Sequence, residues 1–261
     1  IFFLTKGPQS PAVKAFIGRY VNFEAFAGSG ANNPVNLIQL SATRTWADNG
    51  DYIPQESELG ALSSSTFGQV VQTTFYADDV LHGYGKRGYS WQGSVQLQHQ
   101  LWSRVGLNVG YFRTSYGNFF VTDNQLVTAA DYTTYCISAP ANTLLPGGGG
   151  NQICGFYDIN PGAFGRTRNL VTQASNYGKQ SDVFNGIDVT VNARFGTGGL
   201  IQGGVSTGSE ATDNCFANSY PTLLVAGATA ITPQASRTEA FCHVSPPWSA
   251  STQLKLSVVY P

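Results

Sequence analysis

The sequence is poor in charge and contains no methionine. Charged residues make up 11% of the 261 residues, and the net charge is −1, whereas soluble domains carry roughly 25% charged residues. A soluble surface needs charge, so this composition favours a surface that meets lipid or a partner. No block of Lys and Arg is present, so we expect no nucleic-acid partner. We take the missing methionine to indicate an internal fragment or a processed chain.

Long apolar runs are also missing. No stretch of 18 or more apolar residues occurs, which argues against a transmembrane helix. The other structure that can span a membrane is a closed β-barrel, whose strands alternate between apolar and polar residues.

Such alternation is clearest over residues 89–101. Odd positions hold mainly apolar or aromatic residues, and even positions hold only Ser and Gln. This length exceeds the roughly 9–11 residues that a tilted strand needs to cross a bilayer. We therefore expect two chemically different faces. The first carries Tyr89, Trp91, Val95 and Leu97, and the second carries Gln92, Gln96 and Gln98.

Further alternating segments predict more strands. Residues 105–111 follow a tight turn, residues 187–195 and 200–207 flank a Gly-rich turn, and residues 254–260 form a last strand. Residues 13–21 and 35–46 alternate more weakly and are additional strand candidates. Aromatic residues at strand ends would lie in interfacial girdles, although they could also pack a sandwich core: Tyr89, Trp91, Tyr111, Phe112, Phe195 and Tyr260.

Long segments separate these hairpins, at about residues 47–80, 120–180 and 208–250. Compact soluble domains seldom contain unstructured loops of this length, whereas outer-membrane barrels combine short periplasmic turns with long outer loops. The sequence therefore predicts an all-β fold. We expect residues 1–261 to form a partial antiparallel, outer-membrane-type β-barrel with long disulfide-containing extracellular loops and under one residue in ten helical.

Four cysteines form two local groups, Cys136 with Cys154 and Cys215 with Cys242. Three pairings are possible, and the local one is favoured because short loops close more easily. We expect each disulfide to close one long loop at the same end of the barrel, with no cysteine in a strand. Disulfides imply an oxidising compartment, although four reduced thiols in a cytosolic core are the alternative.

Two glycine motifs match catalytic signatures by letter only. Residues 83–88 match G-x-G-x-x-G, but an alternating strand follows where a dinucleotide site requires a helix. Residues 204–208 match G-x-S-x-G, but the polar residues that follow do not predict the helix of a nucleophile elbow. Gly147 to Gly150 lack the Lys-Ser/Thr of a phosphate-binding loop. We therefore predict that the chain is not an enzyme and has no catalytic residues or cofactor.

Metal-binding patterns are weak as well. His82, His99 and His243 lie far apart in the sequence and predict no zinc site or catalytic triad. Asp48, Asp51, Glu56 and Glu58 give the oxygen density of a calcium loop without the full EF-hand spacing. A solvated turn is the preferred interpretation, and no metal is predicted.

Several short segments of the sequence together match one family. They are GYGKRGYSW (83–91), QHQL (98–101), GYFR (110–113), YGNF (116–119), VTDN (121–124), LPGGG (145–149), CGFYD (154–158), ASNYGK (174–179) and CHVSPPW (242–248). Through these segments the chain resembles, over about residues 11–261, TonB-dependent outer-membrane receptors of the Oar type, which have a carboxypeptidase-regulatory-like N-terminal domain.

The resemblance implies a location in the cell outer membrane and a set of partners. These are outer-membrane lipid, the remaining barrel and plug, the TonB system through the missing part, and an extracellular ligand of unknown class. We expect the plug and regulatory domain to be absent from this chain, which leaves too few strands for closure. The alternative function is a secreted all-β module that binds carbohydrate or a surface, stapled by the disulfides.

Overall fold

The structure is a computed structural model that describes residues 2–3, 10–22, 30, 33–225 and 242–260. It is predominantly antiparallel β-structure, with 49% strand and 13% helix. The helical share exceeds the expected one in ten. The excess comes from short 3-10 turns, since one α-helical turn, Asp78–Leu81, is the longest α-helix in the described part.

The main sheet contains six strands of seven or more residues, and neighbours in the sheet are antiparallel. Chain order and sheet order agree because each connection joins adjacent strands. Two short strands extend it: β1 (Phe2–Phe3) pairs with β2 (Ala12–Val21), and β13 (His243–Val244) pairs with the end of β11 (Gly199–Asp213). The six are, in sheet order, β2 (Ala12–Val21), β4 (Tyr89–Trp102), β5 (Val105–Gly117), β10 (Ser181–Phe195), β11 (Gly199–Asp213) and β14 (Gln253–Val259).

All long connections of this sheet leave from one end. Val21 pairs with Tyr89, and Tyr89 pairs with Gly117, so β2 ends where β4 begins and β5 ends. Ser181 and Asp213 pair at the same end. The opposite end contains the short turns after Trp102 and Phe195. We call these the loop end and the turn end.

The strand register places apolar side chains mainly on one face of the main sheet and polar side chains mainly on the other. Leu97 lies opposite Val109, and Val109 opposite Val189, so apolar positions continue across neighbouring strands on one face, the outer face. The other face, the inner face, carries Gln92, Gln96 and Gln98. This confirms the two predicted faces of residues 89–101. The outer face also includes Val13, Ile17, Trp91, Val95, Leu107, Tyr111, Ile187, Val191, Ile201, Val205, Leu254, Leu256 and Val258.

A β-bulge modifies the turn end of β4. The register shifts between Gln100 and Trp102, so Trp102 pairs with Val105. Val105 is on the outer face, two residues before Leu107. The extra residue therefore brings the Trp102 ring to the outer face, where unbroken alternation would have turned it inward.

The outer face is not covered by another layer in the described structure. Val95 is 54% exposed, and Leu254 is 77% exposed. None of the buried apolar residues of the described chain lies in the six long strands. A two-sheet sandwich would bury one face of each sheet as its core. The main sheet instead has a solvent-facing apolar surface.

The inner face is concave and polar. One open cavity of about 710 Å³ lies near the turn end and includes Gln98, Asn192 and Gln202. A second, of about 520 Å³, lies between β10, β11 and β14, where Asp188, Ser206 and Lys255 contribute. The rings of Phe16, Phe112 and Phe184 on this face lie against glycines. Phe112, expected in a girdle, points inward, where its ring covers Gly110.

The long segments fold into structure of their own, contrary to the expectation of loops. A second sheet has the order β12 (Leu223–Val225), β6 (Phe120–Asn124), β9 (Asn169–Gln173) and β3 (Thr74–Tyr76), and only β3 and β9 pair in parallel. A separate hairpin joins β7 (Tyr132–Ser138) and β8 (Gln152–Ile159). The part of segment 208–250 at residues 226–241 lies outside the described residues.

The predicted strand at residues 35–46 is wrong. A 3-10 turn, Pro34–Leu37, begins this segment, with Asn33 as its N-cap. Only two isolated bridges follow, Ile38 with Val70 and Trp46 with Leu59. Each bridge joins residues of the same connection, so the segment folds back on itself and does not join a sheet.

The main sheet does not close on itself. Among the described residues, β14 pairs only with β11, and β2 pairs with β1 and β4, so no ladder joins the two edges. These strands alone do not form a closed barrel, in keeping with the expectation of too few strands for closure, and the outer-membrane type of the sheet stays a prediction. A search of the described residues finds no helix with the length and hydropathy to span a membrane.

Candidate functional site

The connections at the loop end form a packed assembly, which we call the loop platform: residues 74–81, 119–178 and 214–225. Its core contains Val121, Ala174 and Leu223, and the partly buried Phe119, Tyr177 and Phe216 pack against them. Val121 and Ala174 belong to the connection between β5 and β10, and Leu223 belongs to the connection after β11. Their packing therefore holds these two connections together, and this surface is the candidate ligand-binding site.

Asp79 ties the first connection to strand β9. Its Oδ2 accepts hydrogen bonds from Asn176 Nδ2 at 2.7 Å, Thr172 Oγ1 at 2.9 Å and the Gln173 backbone N–H at 3.3 Å. Burial by itself would raise the pKa of this carboxyl, but the donated hydrogen bonds outweigh burial and lower the pKa. Asp79 is therefore a charged structural anchor of the loop platform.

Asp123 anchors the third connection in the same way. Tyr177 donates its hydroxyl proton to Asp123 Oδ2 at 3.0 Å, and Thr222 donates to Oδ1 at 2.7 Å. Burial, together with this hydrogen bond, raises the pKa of Tyr177 to about 12. The phenol is therefore neutral at physiological pH and keeps its proton in the bond to Asp123.

A cleft opens beside this network. Its volume is about 430 Å³, and the Tyr177 and Tyr220 rings meet edge to face in its wall with centroids 5.3 Å apart. An aromatic face next to amide and hydroxyl groups suits a ligand with both apolar and hydrogen-bonding surface. The polar residues of the cleft include Asp123, Gln125, Thr128, Ser219 and Thr222. Sequence reasoning missed this cleft, because its walls come from three distant segments.

Both local cysteine pairs are disulfide-bonded, Cys136 with Cys154 and Cys215 with Cys242. The expectation that no strand contains a cysteine is wrong, since Cys136 lies in β7 and Cys154 in β8. The ladder between these strands shifts register at this bond, where Gly155 has a φ of 90°. The glycine permits this left-handed conformation, and the disulfide holds the two strands together where their ladder is interrupted.

The second disulfide closes the connection between β11 and β13. Cys215 begins a 3-10 turn after β11, and Cys242 precedes β13. His243 Nδ1 lies 3.1 Å from Asp213 Oδ2 at the same junction. The disulfide and the contact between His243 and Asp213 together fix the residues on each side of this connection to the end of β11.

The hairpin of β7 and β8 extends the loop platform. Its inward side carries Tyr132 and Tyr157, whose rings are 6.4 Å apart, and Tyr157 donates its hydroxyl to the Asn218 carbonyl at 3.1 Å. On its other side Tyr135 stacks on Phe156 with centroids 5.4 Å apart. One side of the hairpin therefore anchors it, and the other presents an aromatic surface.

The acidic segment at residues 48–58 brings three carboxylates together. Asp48, Asp51 and Glu58 each place an oxygen within 4.8 Å of the others. These oxygens also accept hydrogen bonds from the Tyr52 and Ile53 backbone and from the Trp46 indole. The carboxylates therefore stabilise a turn, which is the interpretation preferred from the sequence, and we assign no metal to them.

The structure does not bring the other sequence motifs together. Residues 83–88 precede strand β4, and residues 204–208 lie within strand β11, so neither glycine motif is followed by the helix that its chemistry requires. His82 pairs with Asp78, and His243 pairs with Asp213. His99 lies on the outer face near the turn end.

Comparisons with protein-family models, with curated proteins and with solved structures gave no significant match to this chain.

Proposed function

We propose that the chain is a segment of a TonB-dependent outer-membrane receptor that contributes barrel strands and ligand-capturing outer loops. The observation that carries the proposal is the uncovered apolar outer face of the main sheet opposite a concave polar inner face. Lipid would cover the first face and water would fill the lumen behind the second, which is the pattern of a transmembrane barrel.

The height of the apolar face supports this proposal. Trp91 and Trp102 both lie on the outer face and are 43% and 66% exposed. They mark the two ends of an apolar band along β4. Eleven residues at about 3.4 Å each, tilted by about 40°, span roughly 28 Å along the membrane normal. Bilayer hydrocarbon is about 30 Å thick, so Trp91 and Trp102 would lie near its two interfaces.

The separation of the two ends of the sheet also supports the proposal. Short turns occupy one end, and the loop platform with both disulfides occupies the other. In this orientation the platform faces outside the cell, where disulfides persist, and its tyrosine-lined cleft is the proposed site of ligand capture. The open edges of β2 and β14 would pair with further strands of the barrel.

The experiment is a comparison of folding with and without a membrane mimic. We expect the chain to need detergent micelles or vesicles to remain dispersed, and to show strand-type circular dichroism once folded there. A chain that stays monomeric and folded in detergent-free buffer would contradict the proposal and favour the secreted binding module.

A further inference from the structure

Charged side chains are unevenly divided between the two faces of the main sheet. The inner face carries both signs, with acids such as Asp188 and Glu210 and bases such as Lys14 and Lys255. The outer face carries only Arg19, Arg113 and Asp213 among the acids and strong bases of the six long strands. Asp213 lies at the last pair of β11 and is bound to His243 and to the Cys215 backbone.

The two arginines lie two register positions apart, at the loop-end margin of the apolar band. Arg19 is opposite Trp91 on the neighbouring strand, and Arg113 is opposite Gly93. β4 therefore runs between them. Both side chains are exposed, and neither is ion-paired to a carboxylate within the described residues.

Neutral contacts hold both arginines in place. The Arg19 guanidinium lies 4.0 Å from the centre of the Tyr89 ring. Arg113 donates from Nη1 to Asn185 Oδ1 at 2.8 Å, and the Tyr111 hydroxyl donates to the same oxygen at 2.8 Å. A guanidinium has five N–H donors, so each arginine keeps donors for an external anion.

The surface between the arginines is open. A Cβ placed on Gly93 would meet only the Phe16 carbonyl oxygen within 4 Å, at 3.6 Å. Ile17 beside it is 76% exposed, and Val95 on the turn-end side is 54% exposed. The surface thus changes from cationic side chains near the loop end to aliphatic side chains toward the turn end. An elongated molecule with an anionic head and an apolar tail would match this arrangement.

We propose that Arg19 and Arg113 form a docking surface for the phosphates of net-anionic phospholipid headgroups in the leaflet at the loop end. The inference rests on the proposed function, because it requires the outer face to meet lipid. Guanidinium forms charge-assisted hydrogen bonds with phosphate oxygens. The acyl chains would extend over Val95 and the apolar band, and Trp91 would lie at the headgroup level.

The test uses the chain folded into vesicles and a variant in which Trp91 is the remaining tryptophan, the others being replaced by Phe. Brominated phosphatidylglycerol and brominated phosphatidylcholine are compared as quenchers of Trp91 fluorescence. We expect phosphatidylglycerol to be preferred by about fivefold for each arginine, the ratio that corresponds to about 1 kcal/mol per basic side chain at an anionic surface. The preference should fall at high salt.

Matched variants identify the residues responsible. R19Q with R113Q should abolish the preference, whereas K14Q with K255Q should preserve it, because Lys14 and Lys255 lie on the inner face of the same sheet. Equal quenching of Trp91 by both lipids in the unsubstituted chain would overturn the headgroup surface but leave the barrel proposal intact.

Two further outcomes are decisive. Loss of the preference on adding inorganic phosphate, but not chloride at equal ionic strength, would show a site for free phosphate and overturn the lipid assignment. Absence of quenching by either lipid, both at Trp91 and in a variant that retains only Trp102, would show that the outer face does not meet lipid. That result would overturn the proposed function as well.

Discussion

Phe184 covers Gly186 on the inner face of the main sheet, with ring atom Cζ 2.8 Å from the position that a Cβ on Gly186 would occupy. The same ring reaches Gly208 on the neighbouring strand, where the corresponding distance is 3.0 Å. Phe112 over Gly110 repeats the arrangement on β5. These rings shield backbone of the inner face that would otherwise have no side-chain cover, as in aromatic rescue of strand glycines.

Gly186→Ala should therefore destabilise the sheet. The added methyl group overlaps the Phe184 ring, and overpacking of this kind costs about 1–3 kcal/mol. Urea unfolding of the chain in micelles, followed by circular dichroism, measures the change. Gly106→Ala is the matched control, because no atom lies within 4 Å of its Cβ position. Equal midpoints for the two variants would contradict the role of the Phe184 ring.

Asn118 should be needed to orient the loop platform on the main sheet. It has a φ of 55° between β5 and β6, and its side-chain amide donates to the carbonyl oxygens of Gly85 and Arg87. Asn118→Ala loses these bonds and disfavours the left-handed conformation, so we expect a loss of about 1–3 kcal/mol. Asn118→Gly should recover the part due to backbone strain. Equal protease resistance of the Ala and Gly variants would contradict a contribution from backbone strain at residue 118.

Asp79 should make platform stability depend on pH. Its folded pKa is lowered, so its contribution is present above the unfolded pKa of about 3.9 and is lost as pH falls through the folded value. Asp79→Ala should lower the free energy of unfolding by about 1.5–3 kcal/mol at pH 7. The same substitution should weaken the dependence of that free energy on pH in the acid range. Asp78→Ala is the control, because its side chain is 94% exposed. A steep acid transition that survives in the Asp79 variant would point to other carboxylates.

The disulfide between Cys136 and Cys154 should stabilise the hairpin and not the main sheet. The bond closes a loop with a sequence separation of 18, which corresponds to about 3 kcal/mol in the chain-entropy account. Replacing both cysteines by serine should expose β7 and β8 to protease. The free energy of unfolding of the main sheet should change by no more than about 0.5 kcal/mol. Peptide mapping of the unreduced chain should find only the two local pairs, and a crossed pair would contradict the structure.

The main sheet could be predicted from the sequence because its signal is local. Alternation along β4 specifies the strand and both of its faces. The sequence predicts that β5 ends near Tyr111, because Phe112 breaks the alternation of apolar and polar residues. Phe112 points inward and covers Gly110, a contact that is visible only in the folded strand. The β-bulge that brings Trp102 to the outer face is likewise not predicted by strict alternation of residues along the strand.

The second sheet of the loop platform could not be predicted, because its pairings are not local. Thr122 pairs with Leu224, and Thr74 pairs with Asn169, and the residues of each pair are about a hundred positions apart in the sequence. Strands of three to five residues have too few positions to show a period. The cysteines gave the only local signal there, through their spacing, and Asp79 and Asp123 had no pattern to distinguish them from solvated carboxylates.

Residue-by-residue accessibility along β4 distinguishes an outer face that meets lipid from one that meets water. Single cysteines at Val95, Gln96, Leu97 and Gln98 are labelled with nitroxide in the vesicle-folded chain, and collision rates with oxygen and with a water-soluble nickel complex are compared. The account predicts high oxygen access at Val95 and Leu97 and high nickel access at Gln96 and Gln98. High nickel access at all four positions, or low access to both reagents at Val95 and Leu97, would contradict a lipid-facing outer surface.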